Sequence, residues 1–159
     1  MIKDTILHLL EDVMDPEIPT LSIVDLGIVT GVEELDGMIK VTLTPTFSGC
    51  PALRVMEDLV RHKLRDSGYV NNEVVTSFAV QWNSNMISEK GLIALKKHGL
   101  APPPKHDGYI ELDVLSDTPC PLCNSRNTTM QSPFGPTLCR SMHYCNNCKN
   151  AFEAFKPVG

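Results

Sequence analysis

The sequence contains no apolar stretch long enough to cross a membrane, because charged residues interrupt every hydrophobic segment of its 159 residues. Its first residues, Met1-Ile2-Lys3-Asp4, also lack the charged-then-apolar pattern of a secretory signal. We therefore expect a soluble globular protein of the cytoplasm with no membrane contact. A chain of this length with 42% hydrophobic residues can bury one substantial core and a small second module.

Basic residues are also in short supply, with 14 Lys and Arg against 19 Asp and Glu and a formal net charge of -5. Most of the acidic excess lies in residues 1–116. Binding to a phosphate backbone requires clustered Lys and Arg, and the sequence shows no such cluster. We therefore expect no nucleic-acid partner.

Cysteine is present six times, and four of the six form two Cys-x-x-Cys pairs, Cys120 with Cys123 and Cys145 with Cys148. Four thiolates at this spacing are typical of one tetrahedral metal site, usually zinc. Disulfides are the minority interpretation, because the chain has no signal sequence and paired spacing favours a reducing compartment. Iron in the same cage and a thioredoxin-type redox pair at Cys120 are weaker alternatives.

The segment around these cysteines is too short to fold by apolar burial alone, so a metal is expected to stabilise it. Four protein ligands leave no open position for a substrate, which indicates a structural role. Cys139 and His143 lie between the two pairs and stay open as further ligands, although we expect Cys139 to be a small buried residue. Phe134, Phe152 and Phe155 are expected to pack around the site.

The remaining cysteine, Cys50, lies in the motif Ser48-Gly49-Cys50-Pro51 at the predicted start of a helix. The unpaired amides and the dipole of a helix N-terminus favour an anion such as a thiolate. Thr46, Ser48 and Asp25 could orient what this thiolate binds. The alternative is an inert buried cysteine. A single thiolate cannot hold an iron-sulfur cluster, so a second copy of the chain or a partner's thiol would be required.

Hydrophobic periodicity and turn signals predict an α+β fold with a small mixed sheet, helices on one side of it and the element order α-β-β-α-β-α. A rubredoxin-like zinc ribbon follows at the C-terminus. The predicted elements are a helix over 2–13, a hairpin of strands 28–32 and 38–43 turning at Asp36-Gly37, a helix over 51–66, a strand over 73–81 and a helix from the Ser88 cap to His98.

The run Ala101-Pro102-Pro103-Pro104 cannot continue a helix and is expected to be a stiff connector. It predicts a first domain over 1–104, a connector over 105–116 with a possible short strand at Tyr109–Leu115, and the zinc ribbon over 117–159.

Four motifs along the chain resemble the SufT-like domain of iron-sulfur maturation proteins. They are Asp15-Pro16-Glu17-Ile18-Pro19, Ser22-Ile23-Val24-Asp25-Leu26-Gly27, Ser48-Gly49-Cys50-Pro51 and Gly99-Leu100-Ala101-Pro102-Pro103. The C-terminal segments Phe134-Gly135-Pro136-Thr137-Leu138-Cys139 and Phe152-Glu153-Ala154-Phe155-Lys156 resemble, more narrowly, the family of D subunits of the bacterial phenylacetyl-CoA epoxidase system.

This resemblance implies an accessory subunit of aerobic phenylacetate degradation that assembles or inserts the iron-sulfur cluster of the reductase subunit. It implies a cluster-related role for Cys50, an acidic loop of Asp15, Glu17 and Asp25, and the reductase as partner, with a homodimer or hetero-oligomer. It also implies that the family's ribbon cysteines are Cys120, Cys123, Cys139, Cys145 and Cys148. Acidic residues beside prolines more often form turns or caps than metal sites, which favours that role for the loop.

The sequence lacks a di-iron helix pair, a dinucleotide loop and a ferredoxin cysteine run, so we expect no epoxidase activity from this chain alone. A non-catalytic adaptor with only a structural zinc is the alternative to the maturation factor. A thiol redox enzyme ranks last, because the Cys50 motif offers no resolving cysteine.

Overall fold

The computed structural model describes residues 1–46, 52–105, 118–136 and 140–156. The chain divides into two compact units, Met1–Trp82 and Asn83–Gly159. Among the described residues, no helix combines the length and the apolar character that crossing a membrane requires.

The first unit contains a three-stranded sheet with helices before and between its strands. Its elements are α1 (Ile2–Leu10), α2 (Ile23–Leu26), β1 (Val29–Leu35), β2 (Met38–Leu43), α3 (Leu53–Asp66) and β3 (Asn72–Thr76). The strand order is β1-β2-β3, with β1 antiparallel and β3 parallel to β2. The predicted α+β class with a small mixed sheet is therefore confirmed.

The predicted hairpin turn between β1 and β2 is confirmed at Asp36-Gly37. Both residues have positive φ angles, 50° and 80°. Leu35 pairs with Met38 across the turn. Two central residues with positive φ match the right-handed twist of the flanking strands, and Asp-Gly adopts this conformation at low cost. The turn therefore sets the register of the two strands from Leu35 to Gly31, and a β-bulge between Gly31 and Val29 shifts the register beyond that point.

Helix α3 connects β2 to the parallel strand β3 and packs on the sheet through one face. Met56, Val60 and Leu64 recur at four-residue spacing and are buried. The helix begins at Leu53. The predicted start at Pro51 lies outside the described residues.

The predicted third strand was too long, because β3 ends at Thr76 instead of Gln81. Its neighbour β2 ends at Leu43, whose carbonyl accepts the amide of Ser77 at 2.9 Å. Because β2 ends there, the pairing of the two strands stops with this bond. The Ser77 hydroxyl then accepts the amide of Ala79 at 3.2 Å, which turns the chain.

The opening helix was also predicted too long, since α1 ends at Leu10. Val13 is still buried, but its carbonyl accepts the amide of Ile23 at 2.9 Å and so joins α2. The short helix α2 was not predicted. The Ser22 hydroxyl caps it by accepting the amide of Val24 at 3.1 Å.

Among its described residues, the second unit contains one α-helix, a short 3-10 helix (Ser84–Met86) and a four-stranded sheet. Its elements are α4 (Glu89–Lys97), β4 (Leu100–Ala101), β5 (Thr128–Ser132), β6 (Arg140–Cys145) and β7 (Ala151–Phe155). The strand order is β4-β7-β6-β5, with β4 parallel to β7 and the other neighbours antiparallel. Ser88 caps α4 as predicted, since its hydroxyl accepts the amide of Gly91 at 3.0 Å.

Strand β4 lies at the start of the segment that was predicted to be a connector. Ala101 pairs with Ala154 of β7. Residues 83–104 therefore cluster with the cysteine-rich segment, although the sequence favoured placing them in the first domain. The division into 1–104, 105–116 and 117–159 stays a prediction, because 106–117, with the possible strand Tyr109–Leu115, lies outside the described residues.

Candidate metal centre

The structure brings Cys120, Cys123, Cys145 and Cys148 together at one point of the second unit. Their four Sγ atoms all lie within 4.8 Å of one another. Two of the separations, Cys120 to Cys148 and Cys123 to Cys145, are 3.8 Å and 3.5 Å. A tetrahedral zinc with Zn–S bonds of about 2.3 Å requires sulfur atoms about 3.8 Å apart. The donor chemistry and the spacing therefore fit one tetrahedral metal ion.

The two Cys-x-x-Cys pairs have the same backbone geometry. In each, the amide of the residue after the second cysteine donates to the carbonyl of the first, at 2.9 Å from Asn124 to Cys120 and 2.9 Å from Lys149 to Cys145. Asn124 and Lys149 have positive φ angles of 64° and 63°. This tight turn aims both sulfur atoms of a pair at the same point, so each loop can present two thiolates to one ion.

The sheet places the second pair and buries one cysteine of each pair. Cys145 ends β6, and β7 begins at Ala151, so this pair occupies the turn between two antiparallel strands. Cys120 and Cys145 are buried in a small core with Phe152, whereas Cys123 and Cys148 are partly exposed. The site therefore has an inner edge in the core and an outer edge facing solvent.

The thiols of the first pair differ in acidity. Burial raises the pKa of Cys120 to about 11. The pKa of Cys123 is lowered to about 6, and the main cause is a hydrogen bond from the side-chain amide of Asn147. The side-chain amide of Asn150 lowers the pKa of Cys148 in the same way. The outer edge is therefore disposed to carry negative charge, which a metal cation would neutralise.

Asn147 and Asn150 were not identified from the sequence as parts of the site. The available signal was the run of asparagines in Cys145-Asn146-Asn147-Cys148-Lys149-Asn150, whose short amide side chains lie within reach of the thiolates.

His143 lies beside the metal site but is not one of the four grouped ligands. Its Nε2 atom is 2.7 Å from the hydroxyl of Ser141, and its ring stacks on Phe152 with centroids 5.2 Å apart. Burial lowers the pKa of His143, which favours the neutral form of the ring. Cys139, the other ligand left open by the sequence, lies outside the described residues.

The expectation that three phenylalanines pack around the site was wrong for Phe134. Phe152 and Phe155 are buried, but Phe134 is 67% exposed. The ammonium group of Lys156 lies 5.1 Å from the centre of the Phe134 ring, which places that ring at the surface. The thioredoxin alternative also requires a helix after Cys123, but residues 121–123 form a turn and residues 124–127 are irregular.

Two residues of the second predicted site, Asp25 and Thr46, lie at one end of the first unit's sheet. Asp25 belongs to α2, which precedes β1, and Thr46 follows β2; both are partly buried. The amide of Thr44 donates to the carbonyl of Ile28 at 2.7 Å and joins the two segments. Ser48 and Cys50 lie outside the described residues, so their geometry relative to Asp25 stays a prediction.

The turn role expected for the acidic loop is confirmed at Asp15. One carboxylate oxygen of Asp15 accepts the amides of Glu17 and Ile18 at 2.7 Å and 3.1 Å, so Asp15 forms a turn. Trp82 is buried, and its indole N–H donates to the carbonyl of Leu26 at 3.0 Å, so it anchors the chain to α2.

A small mixed-sheet domain followed by a four-thiolate ribbon defines a two-part class of metal-binding protein. Comparison with known families identifies the same two parts. Residues 3–76 match the model of an iron-sulfur cluster assembly protein, and residues 109–156 match that of the PaaD zinc beta ribbon domain. An Escherichia coli protein provisionally named as the D subunit of 1,2-phenylacetyl-CoA epoxidase is 33% identical over 150 residues, which cover 94% of this chain and 90% of that relative.

The chain therefore belongs to the family of phenylacetyl-CoA epoxidase D subunits, as its motifs predicted. A maturation auxiliary factor for iron-sulfur proteins from Porphyromonas gingivalis is 34% identical over 95 residues, covering 58% of this chain and 90% of its own. A solved domain of unknown function from Bacillus anthracis superposes with a TM-score of 0.54 at 30% identity, over 58% of this chain and 89% of that domain.

Proposed function

We propose that this protein is a cytoplasmic accessory subunit of a phenylacetyl-CoA epoxidase system that assembles or inserts the iron-sulfur cluster of the reductase subunit. One observation carries the proposal: a single chain matches both an iron-sulfur cluster assembly model and the zinc ribbon of the epoxidase D subunits. The maturation factor from P. gingivalis matches over only 58% of the chain. The match of the added ribbon supports linking a general maturation domain to this one enzyme system.

In this proposal the ribbon binds zinc as a structural ion. Its four ligands are Cys120, Cys123, Cys145 and Cys148, and this complete set leaves no coordination position for a substrate. When bound, the zinc supplies cross-linking between the two cysteine loops and no chemistry. The residues of the ribbon then form a stable surface for docking on the client protein.

The cluster is the cargo, and Cys50 is its proposed ligand. This role rests on the resemblance of Ser48-Gly49-Cys50-Pro51 to the family motif. Asp25 and Thr46 lie at the sheet end from which this segment departs, and with Ser48 they would orient the cargo. Since iron-sulfur clusters usually take several cysteine ligands, a second copy of the chain or a thiol of the client completes the set. The chain then handles metal without a catalytic reaction of its own.

Cluster transfer to the apo form of the reductase tests the proposal. Wild type, Cys50→Ser and the matched control Cys139→Ser would be reconstituted anaerobically and mixed with the apo reductase, whose electron-transfer activity is then measured. We expect transfer by wild type and by Cys139→Ser, and at most a residual level by Cys50→Ser with its ribbon zinc unchanged.

Equal transfer by Cys50→Ser and wild type would contradict the cargo role of Cys50. If instead none of the three proteins delivered a cluster but all of them bound the reductase equally, the protein would be an adaptor with only a structural zinc. A pull-down with the reductase, run beside the transfer assay, separates these two outcomes.

A further inference from the structure

Two asparagine side chains donate hydrogen bonds to the outer edge of the metal centre, which consists of Cys123 and Cys148. The Nδ2 atom of Asn147 lies 3.6 Å from the Sγ atom of Cys123, and the Nδ2 atom of Asn150 lies 3.5 Å from the Sγ atom of Cys148. Both cysteines are partly exposed. Each solvent-facing sulfur atom therefore accepts a hydrogen bond from a side-chain amide.

The sulfur atoms also accept backbone amides. At the outer edge, the amide of Ser125 donates to Cys123 and that of Asn150 donates to Cys148. The buried sulfur atoms of Cys120 and Cys145 accept the backbone amides of Leu122 and Cys148, each at 3.4 Å. These bonds follow from the turn that both cysteine pairs share and do not depend on the identity of the donor's side chain. A substitution can therefore remove a donor from the outer edge while it leaves the backbone of the loop intact.

Asn147 also connects the two halves of the site. Asn147 lies between the two cysteines of the second pair, but its side-chain amide donates to the Sγ atom of Cys123 in the first pair. Asn150 contacts Cys148 within its own loop, and its Nδ2 atom also donates to the Cys148 carbonyl at 3.2 Å. Asn147 is thus the cleaner probe, because its substitution leaves that loop contact in place.

A metal ion leaves a four-thiolate site when one sulfur dissociates and a competing ligand or a proton takes its place. The sulfur atoms open to solvent are the ones that competitors can reach. An N–H···S bond restrains the orientation of the sulfur and disperses its negative charge, which four thiolates around a divalent ion leave in excess. We propose that Asn147 and Asn150 are positioning residues that keep Cys123 and Cys148 on the metal and so set the rate of metal release.

Asn146 provides a matched control in the same loop. Its side-chain amide donates to the Oδ1 atom of Asn127 at 3.3 Å and to the hydroxyl of Thr129 at 3.1 Å. Neither acceptor is a sulfur atom. Asn146→Ala removes an amide of the same kind from the same loop and keeps every donor to the four thiolates.

The test is the rate at which the full-length zinc-loaded chain gives up its metal to an excess of a colorimetric chelator. We expect Asn147→Ala to accelerate release about tenfold, the lower end of the usual effect of removing a residue that supports a metal ligand. Asn147→Asp keeps the size of the side chain but replaces the donor with an anion, so it should accelerate release further. Asn150→Ala should resemble Asn147→Ala, and Asn146→Ala should stay within about twofold of wild type.

A second readout separates a bond to sulfur from general loosening of the loop. In the iron-substituted chain, an amide donor to a thiolate stabilises the ferrous state, so Asn147→Ala should lower the reduction potential while Asn146→Ala leaves it unchanged. Wild-type release rates in Asn147→Ala and Asn147→Asp would overturn the proposal. Equal acceleration in Asn146→Ala with no difference in potential would overturn it as well. Circular dichroism of each loaded variant verifies that the compared proteins are folded.

Discussion

At the residue scale, Cys120 and Cys123 belong to one Cys-x-x-Cys pair but hold their protons differently before a metal binds. With a pKa of about 11, Cys120 is protonated at neutral pH, whereas Cys123, with a pKa of about 6, is mostly a thiolate. Metal ions bind thiolates, so Cys120 must release its proton on binding. Metal affinity should therefore rise with pH and fall on acidification.

We predict that zinc affinity increases by about tenfold or more per pH unit between pH 6 and pH 8, and that the slope steepens below about pH 6, where Cys123 is protonated too. Competition titrations with a chelator of known affinity, run across this range, measure the slope. Proton release can be counted independently by calorimetry in two buffers of different ionisation enthalpy. An affinity that does not change with pH would contradict the assignment of Cys120 as a ligand.

Loss of a single ligand should unfold the ribbon and not merely weaken it. Metal binding to comparable zinc sites contributes about 10–16 kcal/mol, and a sheet this small has little other stabilisation. We predict that Cys120→Ser abolishes stoichiometric zinc binding and the ordered structure of the second unit. Cys139→Ser is the matched control and should retain zinc. Loss of zinc from Cys139→Ser and its retention in Cys120→Ser would assign the ligands differently.

At the element scale, the segment after β3 contains two large aromatic residues in opposite environments. Trp82 is 2% exposed and bonded to α2, whereas Phe78 is 63% exposed. Removing a buried aromatic side chain leaves a cavity, but removing an exposed one does not. We predict that Trp82→Ala lowers the free energy of unfolding by about 3–5 kcal/mol and Phe78→Ala changes it by less than about 0.5 kcal/mol. Urea titration measures both, and equal effects would contradict the turn after Thr76.

Elements defined by local chemistry could be predicted from the sequence, and elements defined by distant partners could not. Asp36-Gly37 specifies its turn locally, and Ser88 caps α4 without help from elsewhere. The end of β3 depends on where β2 ends, and β4 depends on β7, about fifty residues further along the chain. The four-residue helix α2 is too short for a periodic signal.

The metal site likewise has a part that local sequence predicts and a part that depends on distant residues. The spacing of the cysteines predicted that they would meet, because a Cys-x-x-Cys turn brings two sulfur atoms together locally and an ion requires four ligands. The contact from Asn147 to Cys123 joins two loops that are distant in sequence, and no pattern encodes it. Which cysteine of each pair is buried also depends on the sheet, since Cys145 takes its burial from β6.

At the scale of the whole molecule, the metal should stabilise one unit and leave the other folded. The second unit joins α4 and β4 to the ribbon strands, and Ala101 pairs with Ala154 of β7. We predict that chelation of the metal exposes the amides of β4 through β7 to hydrogen exchange. The amides of the β1–β2 hairpin should stay protected and act as the internal control. Protection of β4 that survived chelation would favour a first domain extending to residue 104.

The most direct test of the central claim, that one chain carries a structural metal and a separate cluster cargo, is metal analysis after anaerobic reconstitution. Zinc, iron and sulfide would be quantified per chain in wild type, Cys50→Ser and Cys120→Ser. We predict zinc with iron and sulfide in wild type, zinc alone in Cys50→Ser, and loss of zinc in Cys120→Ser. Iron and sulfide that persist in Cys50→Ser but disappear in Cys120→Ser would place the cluster in the ribbon and contradict the claim.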